Sequence, residues 1–105
     1  MARFYVGDVV YTTDRWHNAG TGRPHLVICA KDGRYGIVPL THTRQGNWVT
    51  EELGGGTYLA AVDFRTGRPT AQWATDTEIT LGRRQLADAT ITAALAEYRR
   101  ATARR

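Results

Sequence analysis

The chain contains no serine, a single cysteine and no long apolar run. Without serine there is no Ser-His-Asp nucleophile and no nucleophile elbow. Cys29 alone cannot form an intrachain disulfide, so the core must hold the fold, and a reducing compartment is the simpler setting. No stretch approaches the roughly 20 apolar residues of a membrane-spanning helix. The opening MARFYVGDVV places one arginine before a short apolar run, with neither an extended hydrophobic region nor a small-residue cleavage site. That pattern predicts a cytoplasmic protein without a membrane partner.

What is present fits one small domain. The 105 residues are 42% hydrophobic with a mean hydropathy of -0.42, enough for a single core and too few for two. The net charge of +4 is unevenly spread. Residues 1 to 82 carry eight basic and eight acidic side chains, whereas from residue 83 onward six arginines oppose only Asp88 and Glu97. The basic excess therefore belongs to the last segment. There it suits the negative end of a helix at least as well as it suits a nucleic acid.

Short runs rich in β-branched and aromatic residues fill most of the chain: FYVGDVVYTT, HLVICA, YGIVPLT, NWVTEEL, YLAAVDF and AQWATDTEIT. Turn signals separate them, notably Asp32-Gly33, Gly54 to Gly56 and Thr66 to Pro69. This spacing predicts a small antiparallel barrel or sandwich over residues 3–82. After Gly82 the period changes, because Ile91, Ala94, Leu95 and Tyr98 recur at helical spacing without glycine or proline. A closing amphipathic helix is predicted over 86–102, capped by Asp88 or Thr90 and packed on the strands.

Asp32-Gly33 is a strong two-residue hairpin signal between HLVICA and YGIVPL. Uninterrupted pairing through that turn sets Ala30 opposite Tyr35, Ile28 opposite Ile37, Leu26 opposite Pro39 and Arg23 opposite His42. Thr41 then falls opposite Pro24. Pro39 has no N–H for the ladder, so a bulge is expected on its strand, and it is expected to bring Thr41 opposite Arg23. Arg23, Thr41, His25 and His42 then gather at one strand end beside the loop from Trp16 to Gly22. An arginine fork and a hydroxyl in that arrangement suit a phosphodiester, although both residue types are also common on solvated strand ends.

These residues resemble the MazF/PemK family of bacterial toxins. Gly7-Asp8-Val9-Val10 is similar to the family's opening strand, Gly22-Arg23-Pro24 to the Arg-Pro that precedes its next long strand, and Pro39-Leu40-Thr41 to its Pro-x-Thr/Ser. The terminal helix after Gly82 completes the order. The resemblance covers most of the chain, each motif being short. It implies an SH3-like small β-barrel of the MazF/PemK/CcdB type with a C-terminal helix, acting as a homodimer without metal or other cofactor. The implied activity is endoribonucleolytic cleavage of single-stranded RNA, in which the 2′-OH attacks the adjacent phosphate to leave a 2′,3′-cyclic phosphate and a 5′-OH. Arg23 takes the part of transition-state stabiliser and Thr41 that of a phosphate-oxygen ligand. A cognate antitoxin protein is the implied partner.

The chain departs from the family pattern in its short interval between Arg23 and Thr41, in His25 where an apolar residue is common, and in the segment from Gly54 to Pro69. A non-catalytic role for the same fold, binding DNA gyrase as CcdB-like toxins do or binding nucleic acid, is the alternative. His42 is a further catalytic candidate, since an imidazole titrates near neutral pH. Trp16, His17, His25 and Arg44 are candidates for facing RNA, Trp16 because it stands in the polar loop DRWHNAGTG, where a ring can stack on an unpaired base. Zinc held by His25 and Cys29, which alternation puts on one strand face, is a weak reading, since paired ligand spacing is missing. The triple glycine lacks the lysine and helix of a phosphate-binding loop.

Overall fold

A computed structural model of the chain describes residues 4–12, 24–42, 56–62, 66, 68–82 and 85–103. Trp16, His17, Arg23 and Arg44 lie outside these residues, as does the run NWVTEEL.

Among the described residues, six strands and one helix follow in order: β1 (Val9–Thr12), β2 (Pro24–Lys31), β3 (Arg34–Thr41), β4 (Tyr58–Leu59), β5 (Gln72–Thr75), β6 (Ile79–Leu81) and α1 (Asp88–Thr102). All pairings are antiparallel, in the order β4-β3-β2-β1-β6, with β5 beside β4 on the same side of β3. The run AQWATDTEIT makes two strands, not one. Glu78 causes the break, because its carboxylate accepts from both the N–H and the hydroxyl of Thr75, and its own N–H donates to the Thr75 carbonyl. Among the described residues, YLAAVDF contributes the two residues of β4 and a bridge from Val62 to Pro69.

The sheet is strongly curled. β5 and β6 are joined by three residues, yet β5 pairs with β3 and β6 pairs with β1. In a flat sheet those strands would lie about 19 Å apart, four spacings of about 4.8 Å. A three-residue link reaches at most about 14 Å, so the sheet must bend to bring its ends together. No ladder joins β5 to β6 among the described residues, and the sheet is open there.

Both faces are buried, which strand alternation explains. Val10, Val27, Tyr35, Ile37, Ala74 and Ile79 pack with Phe4 on one face. Val9, Leu26, Val38, Leu40 and Leu59 pack on the other, where Ala94 and Tyr98 of α1 cover them. Each fully buried leucine or valine contributes roughly 1.5–3 kcal/mol. The helix begins two residues later than expected, and neither Asp88 nor Thr90 caps it. Ala87 occupies the cap position without a side-chain hydrogen bond, while Asp88 lies in the first turn and Arg99 and Arg100 in the last, each charge suited to its end of the helix dipole. No helix among the described residues is long and apolar enough to cross a membrane.

Gly7 joins the first turn to the helix. It holds φ +98 at the third position of a turn closed by the Asp8 N–H on the Tyr5 carbonyl. Asp8 Oδ2 in turn accepts from the Tyr5 N–H at 2.8 Å. A Cβ on Gly7 would lie 2.9 Å from Ile91 Cδ1, so the Gly-Asp pair sets both the entry into β1 and the approach of α1.

Candidate functional site

The β2–β3 hairpin organises the site. Its turn residues Asp32 and Gly33 have φ of 55° and 75°, the conformation that an Asp-Gly hairpin turn requires. From the turn, Lys31 pairs with Arg34, Ala30 with Tyr35 and Cys29 with Gly36, as uninterrupted pairing predicts. Ile28 is then passed over, and Val27 pairs with Ile37, Leu26 with Val38 and His25 with Pro39.

The bulge is therefore in β2 at Ile28, not in β3 at Pro39. The Pro39 carbonyl accepts the Ala60 N–H, so that edge of Pro39 faces β4. A residue's N–H and C=O point to the same side of a strand. The missing N–H of Pro39 is thus not needed by the β2 ladder, and proline fits there without a bulge. The placement also reverses the expected effect: an extra residue in β3 would carry Thr41 away from position 23, whereas an extra residue in β2 moves the pairing toward it.

The bulge sorts the candidates between faces. His25 and Thr41 lie on the Val10 and Val27 face, with Thr41 two residues beyond Pro39, the partner of His25. Thr12 belongs to the same face, two residues beyond Val10, which pairs with His25. Cys29 is turned to the opposite face, its Sγ 2.6 Å from where a Gly36 Cβ would be, so His25 and Cys29 do not share a face as simple alternation predicts. His42, just beyond β3, is exposed.

His25, expected to face RNA, is instead buried with 1% of its surface exposed. Its imidazole belongs to the interior beneath the strand end. Thr12 and Thr57 are also buried, at 4% and 2%, and Thr57 adjoins Tyr58, the cross-strand partner of Thr41. Sequence reasoning did not single out these two hydroxyls. Thr12 could have been found from the alternation in VVYT, which puts it on the same face as Val10; Thr57 follows a glycine and has no comparable signal. The described part of the site is thus a half-buried hydroxyl, Thr41, at a strand end whose same face carries the buried imidazole of His25 and the buried hydroxyl of Thr12. Such a group can hold a phosphate oxygen, but it carries no fixed positive charge of its own.

No protein-family model matches the chain, and no curated protein matches it.

Proposed function

We propose that this chain is a metal-independent endoribonuclease of the MazF/PemK toxin type, with Arg23 and Thr41 acting on the scissile phosphate. One observation carries the reading: the extra residue at Ile28 shifts the β2–β3 register so that His25 pairs with Pro39, which brings the start of β2 one step closer to Thr41 than uninterrupted pairing would. Simple pairing through the Asp32-Gly33 turn would have set Leu26, not His25, opposite Pro39. The curled antiparallel sheet with a helix packed on it is also what an SH3-like barrel of that family would need.

On this reading the 2′-oxygen forms a bond to phosphorus while the bond from phosphorus to the 5′-oxygen breaks. The 2′-OH gives up its proton, and the departing 5′-oxygen gains one to become the 5′-OH. The Arg23 guanidinium, charged at every relevant pH, offsets the added negative charge of the pentacoordinate phosphorus. Thr41 donates a hydrogen bond to a non-bridging oxygen. His42 is exposed and next to Thr41, within reach of a proton-transfer part. His25 supports the strand end from inside and does not touch RNA. The protein would work as a cytoplasmic homodimer silenced by an antitoxin.

The test is incubation of purified protein with long single-stranded RNA in excess EDTA, beside Arg23→Ala and Thr41→Ala, with mapping of the cut ends. Discrete cuts bearing 5′-OH ends, abolished by Arg23→Ala and reduced by about 10–100-fold by Thr41→Ala, are expected. Normal turnover by folded Arg23→Ala overturns the assignment. Absence of cutting by folded wild type also overturns it, and makes inhibition of DNA gyrase the next assay.

A further inference from the structure

Near the turn end of the β2–β3 hairpin, the core beneath α1 opens into a cleft of about 270 Å³. The bulge turns two neighbouring side chains toward it. Ile28 and Cys29 both line it, as does Gly36, the cross-strand partner of Cys29, whose lack of a side chain leaves room for the Cys29 Sγ. Trp73 continues the same cross-strand row on β5 and forms one wall, while Tyr98 from α1 forms another. The lining is mostly apolar, yet Trp73 remains 53% exposed, leaving much of a large flat ring uncovered.

A cation stands beside the Trp73 wall. Arg34 lies two residues before Gly36, and its guanidinium carbon is 5.8 Å from the centre of the Trp73 ring. Arg34 is exposed and forms no ion pair among the described residues. Thr75 is its partner on β5, and the carboxylate of Glu78 there is already engaged by the Thr75 N–H and hydroxyl.

We propose that this cleft binds a small aromatic carboxylate, with its ring against Trp73 and its carboxylate on Arg34. The volume is at the low end for ligand pockets, enough for one or two fused rings. A body carrying several charges would lose hydration against Ile28, Ala71 and Tyr98 without gaining partners, whereas a single charge at the rim stays partly hydrated and meets the guanidinium. The cleft lies on the face opposite Thr41, at the other end of β3, so this site is independent of the ribonuclease reading.

The probe is naphthalene-2-carboxylate, with neutral 2-naphthamide as its control, each titrated calorimetrically into the intact protein. Cys29 supplies a second readout, because it is the single thiol of the chain and lines the cleft. The acid is expected to bind with a Kd of roughly 0.1–1 mM, about fivefold tighter than the amide, and to slow alkylation of Cys29 by iodoacetamide. Arg34→Gln should erase the preference for the acid while keeping binding of the amide. Trp73→Ala should weaken both by about tenfold. Both substituted side chains are exposed, and a melting curve for each variant establishes that it is folded. Absence of both heat and protection at roughly 5 mM acid overturns the proposal. Equal affinity for acid and amide overturns it, as does binding unchanged in Trp73→Ala.

Discussion

Thr41 stands on the same face of the sheet as His25, two residues along β3 from Pro39, which pairs with His25 across the ladder. The two differ in burial: Thr41 is half-buried at the strand end, and His25 is enclosed at 1% exposure. Substitutions at the two positions should therefore separate function from stability. His25→Ala removes a ring from a close-packed interior and should cost about 2–3 kcal/mol, lowering Tm by roughly 10 °C or more. Thr41→Ala should cost less than about 1 kcal/mol while carrying the larger loss of RNA cleavage. Thermal melts beside cleavage assays check both. A Thr41→Ala protein as destabilised as His25→Ala would make Thr41 a core residue instead of a site residue.

Gly7 meets two constraints that alanine cannot satisfy together. Its φ of +98 is strained for any L side chain, and a Cβ would press on Ile91 at 2.9 Å. Gly7→Ala should lower stability by about 2–3 kcal/mol. Shortening Ile91 to alanine relieves the contact but not the backbone strain. The double variant should therefore be more stable than the sum of the single losses predicts, by about 1 kcal/mol, as measured by denaturant unfolding. Strict additivity would mean that α1 moves away freely and that Gly7 matters for its φ alone.

The hairpin and the helix were legible because their signals are local. Asp32-Gly33 needs only its own backbone to turn, and the stripe from Ile91 to Tyr98 needs only the helical period. The bulge was misplaced because its position is decided between strands. Pro39 points its missing donor toward β4, a relationship invisible in the hairpin alone, while Ile28 looks in sequence like any other residue of an apolar run. The same slip hid the true faces of His25 and Cys29, since one extra residue reverses alternation for everything beyond it. Of the candidate site, the position of Thr41 at the end of β3 was legible from its motif. The buried surroundings of His25 were not, because a histidine in a strand reads the same whether it faces solvent or core.

Gly36 is held to glycine by a cross-strand neighbour. A Cβ there would lie 2.6 Å from Cys29 Sγ, too close for any real contact. Gly36→Ala should destabilise the protein by about 1–3 kcal/mol, the ordinary cost of overpacking. Removing the sulfur in the same chain, with Cys29→Ala, should return most of that loss, because the added methyl then occupies the vacated space. Urea titration of the two single variants and the double variant checks this. A double variant as unstable as the sum of the singles would mean that the new methyl strains the backbone and not the thiol.

Tyr98 links the helix to the chain's response to alkali. Burial pushes its phenol above the ordinary value of 10.0, and Cys29 nearby adds to the rise. In the unfolded chain Tyr98 ionises first, so between its unfolded and folded pKa values the native state binds more protons than the unfolded one. Stability from this residue is therefore fully present below about pH 10 and is lost as pH rises through the folded pKa. Wild type should lose stability with alkali more steeply than Tyr98→Phe, whose ring keeps the packing without the ionising group. The tyrosinate absorbance difference between the two proteins should develop later than that of a free phenol. Cys29→Ala should reduce the rise without abolishing it, because burial is its larger cause. Parallel stability profiles for wild type and Tyr98→Phe across that range would show that the phenol is as well hydrated in the folded protein as in the unfolded chain, and would remove Tyr98 from the buried wall of the cleft.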